Sequence, residues 1–184
     1  PSRAWRRSVA SPRALQHGTD PGKRRGMELT ADLVLPYPRD VVFRVYRDRT
    51  AELLPYLPNV REIKVESRKE DGDVVQMVNI WKGGGEIPAA ARAFLSEAML
   101  SWTDRARWDS GKRTCDWAVE THAFTEAVKC TGQNRFIEDG DRTKLEIRGT
   151  LTIDPKKVKG VPSLLAGKVS RMIEEFLCAK IQPN

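Results

Sequence analysis

Between Met27 and Ile153 the chain returns repeatedly to strict alternation of apolar and polar residues. After that comes one stripe of apolar residues at helical spacing. A period of two marks strands with one buried and one wet face, and such strands pair antiparallel through short turns. One amphipathic helix at the end then has an obvious surface to cover, the apolar face of the sheet. The pattern predicts an α+β fold, a curved antiparallel sheet of about seven strands wrapped around a long C-terminal helix.

The individual segments make this concrete. Leu29, Ala31, Leu33 and Leu35 share one face of a first strand over Met27–Leu35, against Glu28, Thr30 and Asp32. Pro36-Tyr37-Pro38 ends it, and Pro38 suits the first turn of a helix whose inner face would carry Val41, Val45 and Tyr46. A second short helix is expected around Thr50–Pro55, with Thr50 as N-cap and Pro55 and Pro58 limiting its length. Ile63 and Val65 should face inward on the next strand, and Glu70-Asp71-Gly72-Asp73 reads as a hairpin turn. The returning strand, Val74 to Lys82, could present either Val75, Met77, Asn79 and Trp81 or Val74, Val78 and Ile80. Gly83-Gly84-Gly85 reads as a hinge or bulge at the rim, and Glu86–Leu100 as a short helix.

Alternation then resumes. Trp102, Asp104, Ala106 and Trp108 oppose Thr103, Arg105 and Arg107, and a turn at Ser110-Gly111 follows. Cys115, Trp117, Val119 and Thr121 oppose Asp116 and Glu120; Val128, Cys130, Gly132, Asn134 and Phe136 oppose Lys129, Thr131, Gln133 and Arg135. After the Asp139-Gly140-Asp141 hairpin, Leu145, Ile147, Gly149, Leu151 and Ile153 complete the sheet. The terminal helix, about Pro162 to Ile181, buries Leu165, Val169, Met172, Ile173, Phe176 and Leu177.

The net charge of +7 is located almost entirely in residues 1–26. Arg3, Arg6, Arg7, Arg13, Lys23, Arg24 and Arg25 face Asp20 alone there, so this tail holds +6 and the remainder is close to neutral. Basic charge confined to a tail argues against a nucleic-acid-binding domain. The tail lacks apolar periodicity and reads as disordered. Three readings stand for it: sequence upstream of the true start, an organellar transit peptide, or an arm that makes transient contact with phosphate or membrane. Residues 27–184 would form one domain. The three cysteines, Cys115, Cys130 and Cys178, are odd in number and widely spaced, which fits a reducing compartment such as the cytoplasm, or an organelle if the tail is a transit peptide. No metal site is expected from His17 and His122, which are far apart. His122 falls on the outer face and is set aside as a catalytic base.

The plan of one strand, two short helices, six strands and a long helix resembles the helix-grip fold of the START-like superfamily, which includes polyketide cyclase/dehydrase-like proteins. Pro38-Arg39-Asp40-Val41-Val42-Phe43 is similar to the opening of that fold's first helix, and Leu54-Pro55-Tyr56-Leu57-Pro58-Asn59-Val60 to the segment leading into its second strand. The likeness implies an apolar cavity between sheet and terminal helix, holding a lipid, sterol, quinone or polyketide-like molecule. It implies no cofactor, and fold alone implies no reaction.

The residues expected to line such a cavity are Trp102, Asp104, Trp108, Trp117, Asn134, Phe136, Met172 and Phe176. Asp104, on one face with two indoles, would be a polar anchor or a general acid/base, or else an ion-pair partner of Arg61, Arg92 or another cation. Asn134 and Thr121 would orient a head group, or bond to each other or to water. The tryptophans would stack on a flat ligand or simply pack. Binding or transport of a small hydrophobic molecule is the leading reading. A cyclase- or dehydratase-type enzyme using Asp104 is the alternative, and a cup filled by its own side chains is the third. A chain beginning at Met27 should melt within a degree or two of full length in a thermal scan, a change of roughly 0.5 kcal/mol or less. A broad, non-cooperative melt would show that the tail packs on the domain.

Overall fold

A computed structural model describes residues 26–84, 100–123, 125–157 and 171. Its elements in chain order are β1 (Met27–Leu35), α1 (Arg39–Asp48), a 3-10 helix (Thr50–Tyr56), β2 (Val60–Asp71), β3 (Val74–Gly83), β4 (Ser101–Asp109), β5 (Thr114–Thr121), β6 (Val128–Asp139) and β7 (Arg142–Ile153). The strands form one seven-stranded sheet in the order β1-β7-β6-β5-β4-β3-β2, with every pairing antiparallel. Consecutive strands pair all along β2 to β7, and β1 closes onto β7. The helices expected over Glu86–Leu100 and Pro162–Ile181 lie outside the described residues except for Leu100, which is not helical, and Arg171, which is.

Two hairpins show how local chemistry sets the register. Asp71 pairs with Val74 and Asp139 with Arg142, so each loop has two residues and opens on a glycine, Gly72 at φ 56° and Gly140 at φ 62°. A two-residue hairpin loop takes a left-handed residue at its first central position, which glycine enters without steric cost.

The inner face follows the alternation. Leu29, Val75, Met77, Ala106, Trp108, Cys115, Val128, Cys130, Phe136, Leu145, Leu151 and Ile153 are all buried. The ambiguity of β3 resolves in favour of Val75, Met77 and Asn79, each at most 4% exposed. Two core clusters form on this face. One gathers Val42 and Phe43 of α1 over Trp108, Phe136 and Leu145; the other gathers Leu29, Val128, Cys130, Leu151 and Ile153 toward the opposite strand ends. Trp117 packs against both.

Three local expectations are corrected. Val41 does not face inward: it is exposed, whereas Val42 and Phe43 are buried and Tyr46 is half-buried. Phe43 is the largest apolar group on α1, and seating it edge-on against Trp108 and Phe136 at 5.4 and 5.3 Å rolls the helix by one position. Thr50 is not an N-cap; Arg49 precedes the 3-10 helix, and the Thr50 hydroxyl instead donates back to the Tyr46 carbonyl. Val65 keeps its inward register opposite Asn79 but is 45% exposed, because β2 is the sheet's edge and its ladder is interrupted between Val65 and Ser67.

Trp117 lies over a pair of glycines on neighbouring strands. Gly132 pairs with Trp117 on one side and Gly149 on the other. A methyl group at Gly132 would stand 2.2 Å from Trp117 Cζ2 and 2.4 Å from the Arg148 carbonyl oxygen; one at Gly149 would stand 2.6 Å from Trp117 Cη2. Gly132→Ala should therefore destabilise the fold by about 1–3 kcal/mol, read as a lower urea midpoint. An unchanged midpoint would mean that the indole has somewhere else to go.

Candidate functional site

The register divides the inner face into two ends. At the α1 end, Val75, Trp108, Cys115 and Asn134 lie side by side across β3 to β6. At the other end, Asn79, Asp104 and Val119 form one row and Trp81, Trp102 and Thr121 the next. The α1 end is filled: Phe43, Tyr46, Trp108 and Phe136 pack there in edge-to-face and tilted contacts. The second end differs in chemistry, because polar atoms are buried there without hydrogen-bond partners among the described residues.

Asn79 donates from Nδ2 to Asp104 Oδ2 at 3.1 Å. Asn79 is 3% exposed, and its Oδ1 has no hydrogen-bond partner among the described residues. Trp81 Nε1 and Thr121 Oγ1 are buried and unpartnered in the same way. Burial pushes the Asp104 carboxyl above its ordinary range, and the hydrogen bond from Asn79 and the nearby Trp81 indole only partly oppose this. Among the described residues Asp104 takes part in no ion pair and its partner is the Asn79 amide; Arg92, one of the cations considered for it, lies outside them. Trp81 and Trp102 face each other across the ladder and stack at 5.8 Å with 17° between their planes.

The eight residues expected to line a cavity therefore separate. Trp102 and Asp104 fall at the polar end. Trp108 and Phe136 belong to the aromatic core beneath α1. Trp117 and Asn134 bond to each other, with Nε1 donating to Oδ1 at 2.8 Å, in the middle of the face. Met172 and Phe176 lie outside the described residues. Asn79 and Trp81 were legible only as one of two phases of β3. The signal that would have chosen it was the pairing partner: a strand beside Trp102-x-Asp104 completes the polar cluster by placing Asn79 and Trp81 opposite.

His122 is on the outer side as expected. Its Nδ1 lies 2.8 Å from Ser101 Oγ and its Nε2 2.9 Å from Thr103 Oγ1, a pairing that a separation of some 20 residues in sequence conceals. Cys115 and Cys130 are free and buried; burial pushes the Cys115 thiol far up and the Cys130 thiol up to about 11, so neither is a nucleophile near neutral pH. Among the described residues no group of three or more His, Cys, Asp or Glu side chains gathers to hold a metal, and no helix is long and apolar enough to cross a membrane.

No family model and no curated protein matches the chain. Solved structures do. An aromatase/cyclase, Zhui, from Streptomyces is similar over 85% of this chain and 87% of its own, with a TM-score of 0.59 at 16% identity. A Thermus thermophilus protein is similar over 85% and 90%, with a TM-score of 0.59 at 15% identity. The fold is the START-like one seen in that aromatase/cyclase. Norcoclaurine synthase from Thalictrum flavum is similar over 91% of this chain and 98% of its own, with a TM-score of 0.50 at 17% identity. At such identities the START-like likeness carries the fold and leaves the chemistry to the side chains.

The raised pKa of Asp104 has a signed consequence. A carboxyl whose folded pKa lies above its ordinary 3.8 favours folding most when protonated. That contribution is complete below the ordinary value and is lost as pH rises through the raised one. Asp104→Asn cannot ionise, so its melting temperature minus that of wild type should climb as pH is taken from about 3 to about 8. A difference independent of pH would show that the carboxylate is fully compensated in the fold.

Proposed function

We propose that this protein binds a small hydrophobic molecule, a lipid, sterol, quinone or polyketide-like compound, at the β3–β5 end of the inner face. The observation that carries the reading is the gathering of Asn79 Oδ1, Trp81 Nε1 and Thr121 Oγ1, buried and without hydrogen-bond partners among the described residues, beside Asp104. Each such orphan costs roughly 1–3 kcal/mol, and a ligand that supplies partners recovers part of it. The stacked Trp81–Trp102 pair offers an aromatic wall, and Val119, Cys130 and Leu151 continue the same end as apolar surface. Apolar burial would supply most of the affinity, at about 25 cal/mol per Å², while Asp104, Asn79 and Thr121 would set orientation. The buried free thiols suit a reducing compartment, and we place the protein in the cytoplasm.

A second reading, a cyclase- or dehydratase-type reaction with Asp104 as acid/base, draws support from the raised pKa of that carboxyl at the candidate site. The two readings part on one substitution. Extraction of the purified protein, followed by mass spectrometry, would identify a copurifying ligand, and Asp104→Asn would then be compared with wild type. A carrier keeps affinity within roughly tenfold, about 1.4 kcal/mol. An enzyme loses turnover by on the order of 10²–10⁴ while still binding. Asn79→Leu, which removes one orphan acceptor and one donor, should change the Trp81–Trp102 fluorescence response to ligand in either case. If Asp104→Asn and Asn79→Leu both leave ligand affinity and that response unaltered, the site lies elsewhere.

A further inference from the structure

A cleft of about 230 Å³ opens between α1 and the turn joining β4 to β5, lined by Asp40, Phe43, Arg44, Arg47, Ser110 and Arg113. Clefts that hold a whole drug-sized ligand run to about 300–1,000 Å³, so this one suits a head group and not an entire lipid or polyketide. Its lining sets three guanidinium groups against the one carboxylate of Asp40.

Those guanidiniums are held in place from behind. Asp40 tethers two of them: its carboxylate accepts from Arg113 Nε at 2.8 Å, and its backbone carbonyl accepts from Arg44 Nε at 3.2 Å. Both bonds use the inner nitrogen, and the Nη groups of Arg44 and Arg113 have no hydrogen-bond partner among the described residues. Arg47 is fixed by Asp48 through Nε and Nη2 and by Ser110 through Nη1. Arg47 and Arg113 are only 17% and 27% exposed, and their guanidinium carbons stand 5.6 and 5.4 Å from the Phe43 ring centre. Arg113 reaches its position from a left-handed backbone, φ 54°, in the turn between β4 and β5. Other charges nearby are already engaged: Arg39 with Asp40 and Glu138, Lys112 with Asp109, and Arg68 with Asp48 and Glu70.

We propose that this cleft binds a phosphate group, with the open Nη edges of Arg44 and Arg113 as its two forks and Arg47 as a fixed third charge. Planar guanidinium forks match phosphate oxygens in pairs, and anchoring them beforehand through Nε removes much of the entropy that a free arginine loses on binding. The site is independent of the hydrophobic one and stands if that reading fails.

Calorimetric titration of the full chain with inorganic phosphate at constant ionic strength tests it. Saturable binding is expected, weakened about tenfold or more by Arg44→Gln and by Arg113→Gln. Lys129→Gln, an exposed charge on the outer side of β6, should leave it unchanged. Arg44 is exposed and bonds only to a backbone carbonyl, so Arg44→Gln decides the matter should Arg113→Gln fail to fold. Capture by phosphatidic acid vesicles over phosphatidylcholine vesicles, competed by free phosphate, would assign the group to a lipid. Phosphate binding without vesicle capture would assign it to a soluble ester. Absence of saturable binding at low salt, equal affinity in wild type and Arg44→Gln, or an equal loss in Lys129→Gln would overturn the proposal.

Discussion

The seat of Trp117 organises the inner face. Its cross-strand neighbours are Ala106 on β4 and Gly132 on β6, and beyond Gly132 lies Gly149 on β7. Three small residues in one row leave a trough, and the indole fills it with Nε1 bonded to Asn134 Oδ1. The ring consequently touches both core clusters, the one under α1 and the one toward β1. A single strand would present alternating side chains of similar height; here one large residue beside small ones gives interlocking across four strands. Such complementarity specifies one packing where a merely apolar face would allow several.

Alternation made most of this legible. A one-residue slip moves every side chain to the other face, so the phases of β1, β4, β5, β6 and β7 could be read wherever the two faces differ in polarity. The reading failed where that contrast fades. On β3 both phases are apolar, and the strand's facing was settled only by its neighbour: Asn79 and Trp81 pair with Asp104 and Trp102. On α1, Val41, Val42, Phe43 and Val45 cover most of the helix circumference, and the bulk of Phe43 decided the roll. Thr50 has the chemistry of an N-cap, yet the Tyr46 carbonyl at the end of α1 takes its hydroxyl. Each miss is a case of tertiary context choosing between locally equivalent options.

The candidate site shows the same limit. Same-face residues can be read from one strand, but whether they meet depends on distance along it. Trp102 and Trp108 share a face and still belong to different ends, one stacked on Trp81 and the other sealed under Phe43. Asp104 was legible as a carboxyl among indoles. Its partner was not, because an amide two strands' worth of sequence away carries no signature until the register is known.

The division into two ends constrains what the protein could do with a ligand. At the α1 end the volume belongs to Phe43, Trp108 and Phe136, all at most 6% exposed, and an incoming molecule would have to displace them at several kcal/mol. At the other end, Val65 on the edge strand is half-exposed directly beside Asn79, so apolar surface continues from the sheet's rim to the orphaned polar atoms. Asp104 then sets the polar logic there. Ionised, it only accepts, and its acceptance from Asn79 Nδ2 leaves the buried Asn79 Oδ1 as a second acceptor. Protonated, as its burial favours, it gains a donor. The protonation state of one carboxyl therefore decides whether the Asp104–Asn79 pair presents acceptors alone or a donor and an acceptor side by side. An apolar wall cannot make that distinction.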